Sequence, residues 1–307
     1  MLEAKLALKS SSNHRSVIAL SDSVMVGGDN ILIIAGPCSV ESEEQMDEVA
    51  SKLALAPVQV IRGGAFKPRT SPYSFQGLGA EGLEILSSIR KRHGMPVVTE
   101  VMSIEQIAQA ARHADILQVG SRNMQNFELL KALGSAERTV ILKRGLAATI
   151  EEFILAAEYI LSQGNSRVIL CERGIRSFDS YTRNVLDLGC IVALKQLTHL
   201  PVIADPSHAA GKRELVADLS RAAIACGADG IMVECHPNPE LSVSDARQAL
   251  SLEDMKALIE SLHPIAHAVG RTMSDRRQSG LALVAGAKAK LAAKQLPCRP
   301  AARSSRL

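Results

Sequence analysis

The sequence predicts an α/β fold, a closed (β/α)₈ barrel with a short N-terminal extension and a basic C-terminal tail, and three observations predict it. Short apolar runs recur eight times along the chain. Each is followed by Gly, Pro or polar residues and then by a longer stretch of helical period. The runs are continuously apolar rather than alternating, as expected of parallel strands covered by helices on both faces. Eight such units in about 235 residues match the roughly 250 residues usual for this barrel. A doubly wound open sheet is the structural alternative, but no GxGxxG follows the first run, so its dinucleotide-binding version has no support.

In chain order the strand candidates are Ile31 to Ala35, Val58 to Arg62, Val97 to Glu100, Ile116 to Val119, Val140 to Lys143, Val168 to Cys171, Val202 to Asp205 and Gly230 to Glu234. Among the helix candidates between them, ESEEQMDEVASKLAL carries Met46, Val49 and Leu53 on one stripe. TIEEFILAAEYILSQG opens at Thr149 with Glu152 three residues on, a capping pattern, and closes at Gly164. Residues 1–30 are too few for a further domain, and SVIALSDSVMVGGD reads as a short β-hairpin. Residues 31–270 form the barrel and residues 271–307, rich in Ala, Arg, Lys and Ser, read as a flexible basic tail.

Composition narrows the class. Of 307 residues, 47% are hydrophobic and 22% charged, ample for a packed core. The net charge of +3 hides an uneven spread. From Arg271 onward nine Lys and Arg face the single Asp275, so this stretch carries +8 and the body −5. No run reaches the roughly 18 apolar residues of a membrane span, and the first residues lack the apolar centre of a signal peptide, so a cytoplasmic protein is expected. The six cysteines include no CxxC pair and read as reduced thiols. Three Tyr and five Phe offer few stacking platforms, and no nucleic-acid partner is expected.

Chemistry in such a barrel belongs on the loops just past the strands. Two populations stand there. Cys38, His208, Glu234 and Asp245 are a thiol, an imidazole and two carboxylates, a mixed set suited to one borderline divalent ion, although no short-spaced ligand motif joins them. Each also has a plainer reading: Cys38 as a small core residue, Asp245 as the cap of a helix starting near Ala246. The second population is Arg62, Lys67, Arg69, Arg122, Lys143 and Arg173. Six cations at strand ends inside an acidic body imply a ligand with more than one phosphate or carboxylate.

The stretches AGPCSVES, RGGAFKPRTSPYSFQGLG, GSRNMQN, LKRG, CERGIR, LPVIADPSHAAGKR and GADGIMVECHPNP together resemble the 3-deoxy-7-phosphoheptulonate (DAHP) synthases. The likeness is to the branch related to the 3-deoxy-8-phosphooctulonate synthases, and it spans about residues 24–271. The resemblance implies a barrel enzyme that condenses phosphoenolpyruvate with erythrose 4-phosphate at the entry to the shikimate pathway. It implies Cys38, His208, Glu234 and Asp245 as ligands of one divalent metal, Mn²⁺ or a similar ion. It places Arg62, Lys67, Ser121, Arg122, Lys143 and Arg173 at phosphoenolpyruvate, and Arg69 and Thr70 at the aldose phosphate. Lys67 and His208 are candidates for proton traffic, and Glu100 for positioning water. The family also implies a homo-oligomer, dimer or tetramer.

Departures from the family pattern are small: Ser121 for a more familiar Ala, Cys235 and Asn238 near Glu234, and Ala246 for a common Gly. Cys235 suggests oxidative sensitivity, and Ala246 a stiffer loop. The alternatives are an octulosonate synthase using arabinose 5-phosphate, a Schiff-base aldolase built on Lys143, and a catalytically silent sugar-phosphate-binding protein.

Overall fold

A computed structural model describes residues 3–68 and 71–273. Arg69, Thr70 and the basic tail from residue 274 onward therefore lie outside the described residues. The chain opens with a two-stranded antiparallel hairpin, β1 (Ile18–Ala19) and β2 (Met25–Val26). Eight parallel strands follow: β3 (Leu32–Gly36), β4 (Val60–Arg62), β5 (Val97–Val101), β6 (Ile116–Val119), β7 (Thr139–Lys143), β8 (Val168–Glu172), β9 (Val202–Ala204) and β10 (Gly230–Glu234). They close into a barrel when β10 pairs with β3, Gly230 opposite Leu32 through Glu234 opposite Gly36. Every expected strand is present, with ends shifted by at most two residues.

Helices alternate with the strands: α1 (Glu43–Leu53), α2 (Ala80–His93), α3 (Ile104–His113), α4 (Phe127–Gly134), α5 (Ile150–Leu161), α6 (Leu188–Leu197), α7 (Pro206–Ala210), α8 (Arg213–Ala225) and α9 (Leu252–Ala268). Their starts are chemically specified. Ser42 accepts from the amide of Gln45, and Thr149 and Glu152 complete both halves of a capping box. The end of α5 differs from the sequence expectation: the helix stops at Leu161, and Gly164 with φ +100° completes the turn beyond it. None of the described helices is long and apolar enough to cross a membrane.

Side-chain alternation splits the strands between two cores. Ile33, Ala35, Ile61, Leu117, Leu142 and Leu170 face outward into the layer beneath the helices. Leu32, Ile34, Val60, Val98, Ile116, Ile141, Ile169, Cys171, Ile203 and Met232 face inward and fill the barrel. Ile18, Leu20, Val24 and Val26 of the hairpin belong to that inner cluster, so the extension plugs the barrel's N-terminal end. Val24→Asp would bury an unpaired carboxylate there, and a stability loss of about 3–5 kcal/mol is expected. Thermal or urea unfolding checks it, and an unchanged midpoint would deny the plug its role. At the other end of the chain, Arg271 donates to the carbonyls of Gly28 and Asp29 and pairs with Asp229, so the chain remains anchored there beyond Gly270.

Candidate active site

The inward parity of the strands carries directly into chemistry. Two residues beyond the inward Val60, Val98, Ile116, Ile141, Cys171, Ile203 and Met232 come Arg62, Glu100, Gln118, Lys143, Arg173, Asp205 and Glu234. The same pleat that builds the apolar layer therefore stacks a polar layer above it, at the C-terminal rim where barrel chemistry sits. Gly120 makes room for this layer: a Cβ there would lie 2.2 Å from Glu100 Oε1. Glu100 accepts a hydrogen bond from Gln118 Nε2 at 3.0 Å.

One donor atom each from Cys38, His208, Glu234 and Asp245 fall within 4.8 Å of one another. Their surroundings suit a cation. Asp205, fully buried, accepts from His208 Nδ1 at 2.7 Å and caps α7 through the His208 amide. Burial lowers the His208 pKa, against the pull of Asp205 and Glu234. In the neutral ring Nδ1–H donates a hydrogen bond to Asp205, which turns the Nε2 lone pair toward Glu234 Oε1, 3.3 Å away. That contact joins two lone-pair bearers. Glu234 Oε1 also lies 2.9 Å from Arg62 Nη2 but accepts no aligned hydrogen bond, whereas Oε2 accepts from Gln248 Nε2 at 2.6 Å. Cys38 Sγ meets Ser244 Oγ at 3.0 Å, Asp245 Oδ2 at 3.3 Å and Lys67 Nζ at 2.9 Å. Burial, with the Glu234 charge, pushes the Cys38 thiol up to about 12. A thiol, a lone-pair nitrogen and an unsatisfied buried carboxylate oxygen at this spacing fit a transition-metal ion of borderline softness.

Beside the cluster opens a cavity of about 510 Å³. Five of the six expected cations, Arg62, Lys67, Arg122, Lys143 and Arg173, line it, with Glu100, Ser121, His208 and Asp245; the sixth, Arg69, is outside the described residues. Arg176 and Arg183 line it too and escaped the sequence reading. They follow the strand end by several loop residues, where no periodicity marks them. Nε and Nη1 of Arg62 and Nη1 of Arg173 are buried with no hydrogen-bond partner among the described residues. Buried guanidinium donors left open in a cavity are what an anionic ligand would satisfy.

Three of the readings the sequence offers lose support here. Asp245 caps no helix, since residues 246–248 form a turn, and its own φ of +54° puts the tight backbone at Asp245 rather than at Ala246. Cys235, one residue beyond the inward Glu234, points into the outer core, fully buried, and burial pushes its thiol up to about 12, which opposes the oxidative sensitivity expected of it. Lys143 Nζ is engaged by the buried Asp205 carboxylate and is not presented as a free amine, which removes support for a Schiff base.

Fold and site together define a (β/α)₈ barrel with a cation-lined cavity and a four-donor cluster beside it at the C-terminal rim. The family model described as the DAHP synthetase I family matches residues 10–269. The phospho-2-dehydro-3-deoxyheptonate aldolase of Thermotoga maritima is 50% identical over 266 residues, 87% of this chain and 78% of its own. A 2-dehydro-3-deoxyphosphooctonate aldolase of Geobacter sulfurreducens is 35% identical, over 79% of this chain and 95% of its own. Among solved structures, the Thermotoga maritima DAHP synthase superposes with a TM-score of 0.86 at 48% identity, covering 89% of this chain and 80% of that one. A truncated form of the Thermotoga maritima 3-deoxy-D-arabino-heptulosonate 7-phosphate synthase gives 0.81 at 45% identity, covering 88% and 98%. The chain belongs to the DAHP synthetase I family and is an enzyme of the DAHP synthase kind.

Proposed function

We propose that the chain condenses phosphoenolpyruvate with D-erythrose 4-phosphate and water, giving DAHP and inorganic phosphate, with one divalent ion held by Cys38, His208, Glu234 and Asp245. The observation that carries this reading is the juxtaposition of that four-donor cluster with a cation-lined cavity. When bound, Mn²⁺ or a similar ion supplies Lewis acidity toward the aldehyde oxygen. Arg62, Arg122, Lys143 and Arg173 hold the phosphate and carboxylate of phosphoenolpyruvate, with Ser121 beside them, and so fix the enol carbon against the aldehyde. Arg69 and Thr70 are assigned to the aldose phosphate from the family resemblance.

The electron pair of the C2–C3 double bond forms the new bond from C3 to C1 of the aldose, whose oxygen takes up a proton. Lys67, with its ammonium in the cavity, is the group for that proton. His208, its Nδ1 given to Asp205 and its Nε2 turned to the cluster, serves better as ligand than as proton carrier. Water adds at C2 and loses its proton to Glu100. The C2 hydroxyl then yields its proton to the now neutral Lys67 as its electron pair closes the ketone, the C–O bond to phosphate breaks, and phosphate leaves with the pair of that bond and the proton held by Glu100. Self-association as a dimer or tetramer belongs to the same reading. It is supported by exposed apolar side chains at Ile104, Phe127 and Tyr159 on consecutive helices, and light scattering tests it.

The test is phosphate release from phosphoenolpyruvate with erythrose 4-phosphate or arabinose 5-phosphate, before and after treatment with EDTA. Turnover is expected with the four-carbon sugar, lost on chelation and restored by Mn²⁺. Preference for arabinose 5-phosphate would move the chain to the octulosonate reaction, and full activity after exhaustive chelation would exclude the metal. An inert protein that still binds both phosphates would favour the silent sugar-phosphate-binding reading.

A further inference from the structure

The loop between β8 and α6 does more than carry Arg173 and Arg176. Its residues 183–184 lie along α7, where the amides of Arg183 and Asn184 donate to the carbonyls of Ala210 and Ala209 at 2.9 and 2.8 Å. Asn184 Nδ2 donates to the carbonyl of His208 at 3.1 Å. Gly211 permits this approach, since a Cβ there would lie 2.6 Å from Arg183 Cβ. From this anchored backbone, Arg183 Nη1 reaches Asp245 Oδ1 and Gln248 Oε1, both at 3.2 Å. Gln248 in turn donates from Nε2 to Glu234 Oε2 at 2.6 Å.

Asp245 needs such a tie. It stands outside helix and strand with φ +54°, so no repeating backbone fixes its side chain. Its two oxygens are sorted: Oδ2 faces Cys38 Sγ at 3.3 Å, and Oδ1 is drawn back to Arg183. The pair is partly exposed, 41% and 24% for the two side chains, so its contribution to folding stability is small. Its geometric effect on the donor cluster is not.

We propose that Arg183 is a positioning residue for the metal centre, turning Asp245 Oδ2 and, through Gln248, the Glu234 carboxylate toward the ion. This inference rests on the metal-dependent reading above. The test compares full-length wild type, Arg183→Gln and Arg183→Lys, stripped of metal and titrated with Mn²⁺ and Co²⁺. Mn²⁺ affinity is read by electron paramagnetic resonance of the free ion, and Co²⁺ geometry by visible absorption. Arg183→Gln is expected to weaken Mn²⁺ binding 10- to 100-fold and to shift the Co²⁺ bands. The Tm of its metal-free form should stay within about 3 °C of wild type. Arg183→Lys, which keeps the charge without the fork, is expected to fall between the two.

Wild-type affinity and an unshifted spectrum in Arg183→Gln would overturn the role of Arg183 alone. So would an affinity loss matched by a large fall in metal-free Tm, because that marks a merely structural residue. Failure of the wild type to bind either ion would instead remove the metal reading itself. Should Arg183→Gln fail to fold, Arg183→Lys is judged by the same criteria, and an unchanged spectrum and affinity overturn the proposal.

Discussion

Asp205→Asn is expected to destabilise the protein by about 3–5 kcal/mol and to weaken metal binding 10- to 100-fold. Asparagine has nearly the same shape and still caps α7, so the loss is one of charge. In the wild type, Asp205 is buried between Lys143 and His208, and its carboxylate is the partner of both. Removing the negative charge leaves a buried ammonium uncompensated and the His208 tautomer unspecified. Burial alone would raise the Asp205 carboxyl, but His208, Lys143 and Arg62 outweigh it and hold it well below the usual carboxylate range. Asp245 is likewise held down, to about 2: burial opposes this, and His208 and Arg183 outweigh it. A carboxylate depressed by folding stabilises above its unfolded value of about 4, and the gain disappears as pH falls through the folded value. The metal-free wild type should therefore lose Tm steeply from about pH 4 downward, and Asp205→Asn should show a shallower acid limb. Wild-type stability and metal affinity in the variant would refute the assignment of Asp205.

Arg173→Ala is expected to act in the opposite sense on stability. The Arg173 guanidinium is buried beside other cations, and both burial and the neighbouring Arg183 disfavour its charge, although Asp205 partly compensates. Its Nη1 has no hydrogen-bond partner among the described residues. Truncation relieves that strain, so Tm should hold or rise. The same change removes a charged donor from the anion site, for which a loss of about 3 kcal/mol is expected. This corresponds to a roughly 100-fold higher KM for phosphoenolpyruvate. Steady-state kinetics beside a thermal melt checks both halves. A variant that is destabilised yet keeps its KM would show that Arg173 serves the fold rather than the ligand.

These residues also mark what the sequence makes legible. The eight strands were visible because a strand buried on both faces must be apolar throughout, and Ile31 to Ala35 or Val168 to Cys171 admit no other role in a chain with so many helical stretches. The expected cations were visible because they follow those runs closely. Gln118 and Asp205 were within reach of the same logic, since alternation alone places them inward above Ile116 and Ile203. Arg176, Arg183, Ser244 and Gln248 were not. They sit on irregular loops, where neither period nor spacing tells which of many polar residues turns toward the cavity. The cluster of Cys38, His208, Glu234 and Asp245 was readable only as a suspicion, because ring closure between β10 and β3, not sequence spacing, brings Glu234 beside Cys38.

The apolar layer that fills the barrel, with β1 and β2 packed beneath it, makes the cavity a dead end. Traffic must enter and leave by one door. A molecule resting against Arg62 and Lys143 at the floor lies beneath anything held near the exposed Ser71 and Ser74 at the rim. The buried floor and the exposed rim thus differ in their access to water, and a change at the rim alters the one approach to everything below it.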